Sequence, residues 1–388
     1  MKEGGKGWEK RTRKRGRGEG EADKGTRRKG RRRGGDEEEA TKRKTRQATQ
    51  AVLEPTTQSE NGRSILRRLV PRGFALATAI AFVPTMVARP VSVATDERRA
   101  RRADGSVIHW SIDRQHVAPR QGILVLAQGS GCLGTGTNPN LKRAKRLIPE
   151  FAVVMVEKYG VRPSDVPKDP FGGCSRTFYK HNTVSRRVED LQRVLGELEA
   201  APWWDQRLVL FGGSEGGAVV SMLAPRVTPT AVVIFSAAPG RSFRESLKLV
   251  LPPQVAAQAD SEFTRIKAHP LSSKLWGGNS YRWWADIMDH DLTADVLSVR
   301  APILLIQGER DRSAPVQDAR MVRDDFQRAG HSNLTYWEFA GYDHQMHDAT
   351  GASHIDEVMQ RIAAWLAGTV STASTVDDSA PPTFPRQQ

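Results

Sequence analysis

Apolar runs alternate with amphipathic stretches from about residue 105 to the end of the sequence. The apolar runs predict strands, and most of them are apolar on both faces, as is typical of a parallel sheet covered on both sides. A preceding segment, GSVIHWSID, predicts antiparallel strands at one edge of the sheet. The six predicted strands of the sheet lie at 122–129, 151–160, 207–213, 231–238, 302–308 and 334–341.

Amphipathic helical patterns lie between the predicted strands. In the longest of them, apolar residues from Val184 to Leu198 recur at spacings of three and four, which puts them on one helix face. This alternation of strands and helices predicts an α/β protein with a doubly wound, mostly parallel sheet. Five stretches carry the helical pattern: 138–150, 181–200, 215–224, 316–330 and 355–368.

Residues 240–298 interrupt this order between two predicted strands. SLKLVLPPQVAAQ and SYRWWADIMDHDL within them predict helices, and the segment is rich in aromatic residues. The aromatic side chains could line an acyl or aromatic pocket, or they could pack the inserted helices onto the sheet. Four residues are concerned: Trp276, Tyr281, Trp283 and Trp284.

Charge is distributed very unevenly along the 388 residues. Residues 1–94 contain 24 of the 59 Lys and Arg residues but only 11 of the 44 acidic residues, so most of the net charge of +15 lies there. Residues 1–65 are poor in apolar side chains and are predicted to be a disordered, low-complexity extension. We favour a solvated extension, or a translated region upstream of the true start, over a nucleic-acid-binding tail. Only one aromatic residue, Trp8, lies among the basic ones, and a targeting signal follows immediately.

Residues 66–94 resemble a secretory signal peptide. Arg67, Arg68 and Arg72 form a basic flank, residues 73–88 are uncharged, and Ser92-Val93-Ala94 offers a cleavage site. The uncharged run is short and contains a proline, so no stable membrane span is expected, although an uncleaved anchor is the alternative. Export to the periplasm or the medium is therefore predicted, with initiation near residues 66–70. A folded α/β domain is expected at 95–370, followed by a disordered tail at 371–388.

The two cysteines, Cys132 and Cys174, both lie in the predicted exported part of the chain. Neither belongs to a CxxC or Cys/His pattern that would predict a metal site. In an exported protein we expect the two cysteines to form a disulfide, with two free thiols as the alternative.

A candidate nucleophile lies in LVLFGGSEGGAVV, residues 208–220. Gly212 to Gly216 match the pattern G-x-S-x-G, with a predicted strand before it and a predicted helix after it. At such a nucleophile elbow the serine backbone is strained, and only small neighbours permit the turn. Ser214 is therefore the predicted nucleophile.

A serine hydroxyl needs a base that accepts its proton and an acid that orients the base. Asp311 follows a predicted strand 97 residues after Ser214, and His344 follows the last predicted strand 33 residues later. Glu309 and His347 are the competing candidates, but Glu309 lies nearer the strand end and His347 lies nearer the last helix.

Two backbone N–H groups are needed to stabilise the oxyanion of an acyl-transfer reaction. One is expected from Glu215, whose side chain should point away from the hydroxyl. The other is expected from the loop QGSG at 128–131, with Ser130 as first choice and Gly131 as second. A Cys132–Cys174 bond would fasten this loop.

Residues 105–368 resemble the α/β-hydrolase superfamily, and GGSEGG, LLIQGERDRSAPV and GYDHQM are most similar to the dienelactone hydrolase and prolyl-oligopeptidase-like branch. The resemblance implies Ser214 as nucleophile, His344 as base and then acid, Asp311 as its orienting carboxylate, and an acyl-enzyme intermediate. Gln128 departs from the histidine usual in the oxyanion turn, and dienelactone hydrolases have cysteine at the position of Ser214. The sequence before the sheet is too short for a propeller, so a full oligopeptidase is not expected.

The sequence therefore predicts a serine hydrolase that acts on a small-molecule ester or similar acyl substrate, without cofactor or metal. The resemblance implies that residues 240–298 form a small helical cap over the serine, and no nucleic-acid binding is expected of the mature domain. A small peptidase or amidase is the alternative enzyme, and a non-catalytic binding protein on the same scaffold is the alternative class. Glu157, Lys158 and Tyr159 follow a predicted strand on the catalytic face, without an assigned role.

Overall fold

A computed structural model describes residues 96–114, 118–237, 240 and 242–373. The predicted basic extension (1–65) and the signal-peptide-like segment (66–94) lie outside the described residues, and so does the predicted tail beyond residue 373. These three expectations stay predictions. No helix in the described part of the chain combines the length and the apolar character needed to cross a membrane.

Eight strands form one sheet in the spatial order β1-β2-β4-β3-β5-β6-β9-β10. Six neighbouring strands run parallel to one another: β4, β3, β5, β6, β9 and β10. At one edge of the sheet β2 pairs antiparallel to β4, and β1 pairs antiparallel to β2. The strands are β1 (Asp96–Arg101), β2 (Val107–Asp113), β3 (Gln121–Ala127), β4 (Ala152–Val156), β5 (Trp204–Gly213), β6 (Ala231–Phe235), β9 (Ile303–Gly308) and β10 (Leu334–Phe339), and a separate hairpin contains β7 (Leu275–Trp276) and β8 (Asn279–Ser280).

Helices cover both faces of the sheet. Successive residues of a strand point to opposite faces, and in β3 Ile123 and Val125 belong to one buried cluster while Leu124 and Leu126 belong to the other. The helices are α1 (Pro139–Ala144), α2 (Arg176–His181), α3 (Val184–Leu198), α4 (Glu215–Leu223), α5 (Phe243–Val250), α6 (Pro253–Ala268), α7 (Tyr281–Ile287), α8 (Leu292–Leu297), α9 (Val316–Arg328) and α10 (Ile355–Ala373). The predicted doubly wound, mostly parallel α/β sheet is thus confirmed.

Several element boundaries differ from the sequence prediction. The segment 138–150 is helical only to Ala144, after which single turns lead Leu147 and Ile148 into the core. The predicted helix at 246–258 is broken between α5 and α6 at Leu251–Pro252, because proline lacks the N–H group and disfavours helical geometry in the residue before it. The last helix continues five residues beyond its predicted end at 368.

Helices α5 to α8 and the β7–β8 hairpin lie between β6 and β9 in the chain, and we call the described residues of 242–298 the cap. An aromatic cluster packs the cap: Trp284 contacts Trp276, Trp283 and Phe263 with ring centroids 5.0, 4.9 and 6.0 Å apart. The Trp284 indole N–H donates to the Trp276 carbonyl at 2.8 Å. The aromatic cluster of the cap therefore belongs to the same buried apolar core as one face of the sheet.

Candidate active site

Ser214 lies at a sharp turn between β5 and α4. Its backbone has φ 53° and ψ −127°, a strained conformation for a residue with a side chain. Its N–H donates to the Phe235 carbonyl at 3.0 Å, which ties the turn to β6. A Cβ atom at Gly212 would overlap the Gly216 carbonyl, and one at Gly216 would overlap the Ala127 carbonyl, so both glycines are required by close backbone approach.

Asp311 and His344 follow β9 and β10 and lie in hydrogen-bond contact. His344 Nδ1 is 2.7 Å from Asp311 Oδ2, and the Asp311 side chain is fully buried. The other carboxylate oxygen, Oδ1, accepts the N–H groups of Ser313 and Ala314 at 2.7 and 2.8 Å. Gln307 Nε2 also donates to Oδ2 at 2.7 Å. Gln307 was not among the predicted site residues, because in the sequence it is only a polar residue within the apolar run that forms β9.

The environment of His344 shifts its pKa upward. Burial alone would lower the pKa of the imidazole, but the charge of Asp311 and the hydrogen bond to it raise the pKa above its ordinary value. Nδ1 is occupied by Asp311, so Nε2 is the nitrogen able to accept a proton. Among the described residues, no hydrogen bond joins Ser214 Oγ to His344, and such contacts commonly tighten only when substrate binds.

The competing residues lie in other contacts. The exposed Glu309 accepts the N–H of Gly341 at 2.8 Å. His347 Nδ1 is 3.5 Å from Asp343, away from Asp311. The geometry therefore brings together Asp311 and His344, and neither alternative is in this pair.

The loop 128–131 follows β3 and lies against the nucleophile elbow. A Cβ atom at Gly129 would be 3.2 Å from Ser214 Cβ and 3.8 Å from Ser214 Oγ. Ser130 and Gly131 line the same cavity as Ser214 and Glu215. The two predicted sources of oxyanion N–H groups thus flank one space.

A buried group of charges lies behind this loop. Glu215 Oε1 is 2.6 Å from an Arg187 nitrogen and 3.9 Å from Lys158 Nζ, and all three side chains are buried. Ser130 also hydrogen-bonds to Glu215. Burial alone would raise the pKa of Glu215, but the charges of Lys158 and Arg187 lower it below its ordinary value. The expectation that only the backbone of Glu215 matters is therefore incomplete, because its carboxylate is the centre of this cluster.

The residues after β4 contact loops rather than the cavity. Glu157 accepts the N–H and the hydroxyl of Thr135, with the N–H at 3.1 Å, and burial raises the pKa of Glu157 to about 7. Lys158 donates to the carbonyls of Gly129 and Gly131. No pattern in the sequence predicts these contacts, which join residues 22 to 29 positions apart.

A cavity opens to solvent between Ser214 and the cap. Among its described lining residues, Glu215 is the one ionisable side chain, and Arg187 pairs with it. Trp283 and Trp284 line the cavity and also belong to the aromatic cluster, whereas Trp276 and Tyr281 pack within the cap without lining the cavity. Both interpretations of the aromatic residues therefore apply. The apolar lining consists of Phe171, Phe178, Ala218, Ala237, Phe243, Leu247, Trp283, Trp284, Ala314 and Pro315.

Cys132 and Cys174 form a disulfide, as the sequence predicts, with Cα atoms 5.7 Å apart. The Cys132 N–H donates to the Pro170 carbonyl at 2.8 Å, which adds a second connection between the two loops. Gly131 and Phe171, neighbours of this bridge, both line the cavity. The disulfide therefore fastens one wall of the cavity to the loop that follows β3.

Solved structures share this arrangement of sheet and helices. DcsB, solved in complex with its substrate analogue, is 14% identical, with a TM-score of 0.51 over 72% of this chain and 100% of that chain. A puromycin hydrolase is 18% identical, with a TM-score of 0.51 over 74% of this chain and 40% of that chain. A puromycin-hydrolyzing peptidase from Mycobacterium tuberculosis is 16% identical, with a TM-score of 0.50 over 73% of this chain and 40% of that one.

The chain has the α/β-hydrolase fold. No family model and no curated protein matches the sequence. In this fold, side chains at the carboxyl ends of the parallel strands meet at one edge of the sheet. Ser214 after β5, Asp311 after β9 and His344 after β10 all follow strands at that edge.

Proposed function

We propose that the chain is a serine hydrolase that cleaves a carboxylic ester through an acyl-enzyme intermediate. The observation that carries the proposal is the strained backbone of Ser214, at a turn that opens on the cavity. Strain of this kind persists only where the surrounding structure enforces it, and it concentrates at reactive positions. The Asp311–His344 pair at the same edge of the sheet supports the assignment.

The proposed reaction uses each residue once in acylation and once in deacylation. Ser214 Oγ attacks the acyl carbon while His344 Nε2 accepts the hydroxyl proton, and the N–H groups of Ser130 and Glu215 stabilise the oxyanion. His344 then gives the proton to the leaving alcohol as the ester bond breaks. Water attacks the acyl-enzyme by the same route, which releases the acid and restores Ser214. Asp311 keeps the Nδ1 proton of His344 in place throughout.

The cavity supports an uncharged ester with an apolar or aromatic group as the substrate class. Its described lining is largely apolar, and its one carboxylate is paired with Arg187. A free α-amino group is bound strongly by a carboxylate that accepts its charge-assisted hydrogen bonds, and a carboxylate already paired with arginine offers fewer of them. We therefore favour an ester over an aminoacyl amide, and parallel assays with p-nitrophenyl esters and aminoacyl amides compare the two. A higher kcat/KM for the amides would reverse this preference.

Labelling by a fluorophosphonate probe tests the proposed nucleophile. The full chain should be labelled and should hydrolyse p-nitrophenyl esters, and Ser214→Ala should lose both properties. Ser221→Ala is the matched control, because Ser221 is a buried serine of α4 whose hydroxyl donates to the Gly217 carbonyl away from the cavity. Labelling that survives in Ser214→Ala would refute the proposal. Absence of both labelling and hydrolysis in the wild type would favour a non-catalytic binding protein.

We also propose that this hydrolase is exported. The Cys132–Cys174 disulfide supports export, since disulfides form and persist in oxidising compartments. N-terminal sequencing of the protein recovered from the periplasm or the medium should give a start near Thr95. Recovery from the cytosol with Met1 intact would contradict the proposal.

A further inference from the structure

Lys158 is a fully buried cation that contacts backbone carbonyls beside the nucleophile. Its ammonium donates to the carbonyl of Gly129 and, at 2.6 Å, to that of Gly131. Burial of an ammonium group is costly unless it is hydrogen-bonded and paired. Here the pairing comes from Glu215, 3.9 Å away. Both bonded carbonyls belong to the loop that carries Ser130.

A trans peptide unit directs its C=O and N–H groups to opposite sides. The Gly129 carbonyl and the Ser130 N–H belong to one such unit. Because Lys158 binds the carbonyl from the buried side, the N–H of Ser130 is turned toward the opposite side, where Ser130 lines the cavity. We propose that Lys158 is a positioning residue of the oxyanion hole, which fixes the direction of the Ser130 N–H without touching substrate.

The second oxyanion donor is fixed in a similar way. The Ser214 carbonyl accepts the N–H of Gly217 at 2.8 Å, which sets the orientation of the peptide that carries the Glu215 N–H. The Glu215 carboxylate binds Arg187, and Arg187 donates to the Gln128 carbonyl at 2.6 Å. One buried ion cluster therefore connects the elbow to the loop, and it controls the relative position of both donors.

The contacts of Lys158 do not depend on its charge state. Burial lowers the pKa of Lys158 to about 7, although Glu215 opposes this shift. A neutral amine retains two N–H groups, which suffice for the carbonyls of Gly129 and Gly131. The positioning role therefore persists across neutral pH.

Lys158→Met tests the inference, because methionine fills a similar volume without donating hydrogen bonds. Arg102→Met is the matched control: Arg102 is equally buried, bonds to Asp190 at 2.7 Å and donates to the Val107 carbonyl at 2.6 Å, but it lies outside the oxyanion loop. Active sites are counted by fluorophosphonate stoichiometry, so that kcat is expressed per functional site. Inhibition by a trifluoromethyl ketone, which forms an oxyanion on Ser214, is measured in parallel.

Loss of one oxyanion donor costs roughly 10²–10³-fold in kcat, so displacement of a donor should cost about 10- to 100-fold. Lys158→Met should lower kcat per site by this factor with KM changed less than about threefold, and should weaken ketone inhibition by a similar factor. Arg102→Met should leave kcat per site within about twofold of the wild type. A purely structural role of Lys158 would reduce the number of sites and leave kcat per site intact.

Two results would overturn the inference. One is a kcat per site in Lys158→Met that lies within twofold of the wild type. The other is an equal fall of kcat per site in Lys158→Met and Arg102→Met. If Lys158→Met does not fold, Lys158→Gln replaces it, since the shorter side chain keeps a polar end but cannot reach both carbonyls, and the same criteria apply. The inference rests on the proposed function. Failure of that function appears as an unlabelled, inactive wild type, whereas failure of the inference appears as an active wild type with an unaffected variant.

Discussion

His344 Nδ1 and Asp311 Oδ2 lie 2.7 Å apart, and the carboxylate receives three further hydrogen bonds from Gln307, Ser313 and Ala314. These bonds fix the direction of the Asp311 carboxylate. The imidazole is thereby restricted to the tautomer that carries its proton on Nδ1. The pair therefore leaves Nε2 as the nitrogen that can accept a proton.

The pH dependence of ester hydrolysis should report the raised pKa of His344. Protonated His344 cannot accept a proton from Ser214, so kcat/KM should fall as pH drops through a pKa above the ordinary 6.5. Asp311→Asn should move this acid limb to lower pH and reduce the plateau by roughly 10³–10⁴-fold. Rate profiles from about pH 5 to 9 check both effects. Glu309→Gln alters an exposed neighbouring carboxylate and should change neither the acid limb nor the plateau of the profile. An acid limb that stays at the wild-type pH in Asp311→Asn would contradict the assignment of Asp311 as the partner of His344.

Close packing at the elbow should make Gly216 intolerant of any side chain. In Gly216→Ala the new methyl group would overlap the Ala127 carbonyl, and we expect a loss of about 1–3 kcal/mol in unfolding free energy together with most activity. Gly196→Ala is the control, because Gly196 lies within α3 with open space around its Cα. That change should stabilise the protein by about 0.5–1 kcal/mol. Urea denaturation measures the unfolding free energy of both variants. Equal changes in the two variants would show that the elbow is not tightly packed.

The disulfide should stabilise the fold by closing a long loop. Cys132 and Cys174 are 42 residues apart, for which the chain-entropy model gives about 4 kcal/mol. The double variant Cys132→Ala/Cys174→Ala should therefore lose about 2–4 kcal/mol in unfolding free energy. Dithiothreitol should destabilise the wild type by a similar amount and leave the variant unchanged. Equal sensitivity of both proteins to the reductant would mean that the bond is not formed.

Selectivity among acyl groups should depend on Trp283. This residue lines the cavity, whereas its neighbour Trp276 belongs to the same aromatic cluster without lining it. Trp283→Ala should lower kcat/KM for benzoyl or longer-chain esters about 10-fold relative to acetyl esters, since a buried aromatic contact contributes about 1–3 kcal/mol. Trp276→Ala should lower the thermal midpoint but leave the acetyl-to-benzoyl ratio unchanged. The acetyl-to-benzoyl ratio of kcat/KM, measured for both variants, shows whether a tryptophan contacts the substrate or only packs the cap.

Local patterns in the sequence predicted most of the sheet, and they were sufficient to propose the candidate triad. The apolar runs predicted six parallel strands, since such strands are buried on both faces. Strand β1 was missed because its sequence, DERRAR, is charged and mostly exposed, and it is held to β2 by backbone pairing. Ser214, Asp311 and His344 could be proposed because each follows a strand that the pattern identifies.

The ion cluster could not be predicted in the same way. Lys158 and Arg187 bind carbonyls of residues 27 to 59 positions away, and their own surroundings in the sequence resemble an ordinary strand end and an ordinary helix. Their role depends on which loops the folded chain brings together. Backbone acceptors carry no residue-specific signal, so only coordinates reveal such contacts.

The cap is one continuous insertion between β6 and β9, while Ser214, Asp311 and His344 follow β5, β9 and β10. The cap therefore supplies four of the ten apolar lining residues of the cavity, from a segment separate in sequence from the proposed triad: Phe243, Leu247, Trp283 and Trp284. We expect insertions or exchanges between residues 242 and 298 to alter the acyl group accepted by the proposed hydrolase without moving the elbow or the His344 pair. This separation makes the scaffold modular, so that a transplanted cap could carry a new selectivity to an unchanged reaction centre.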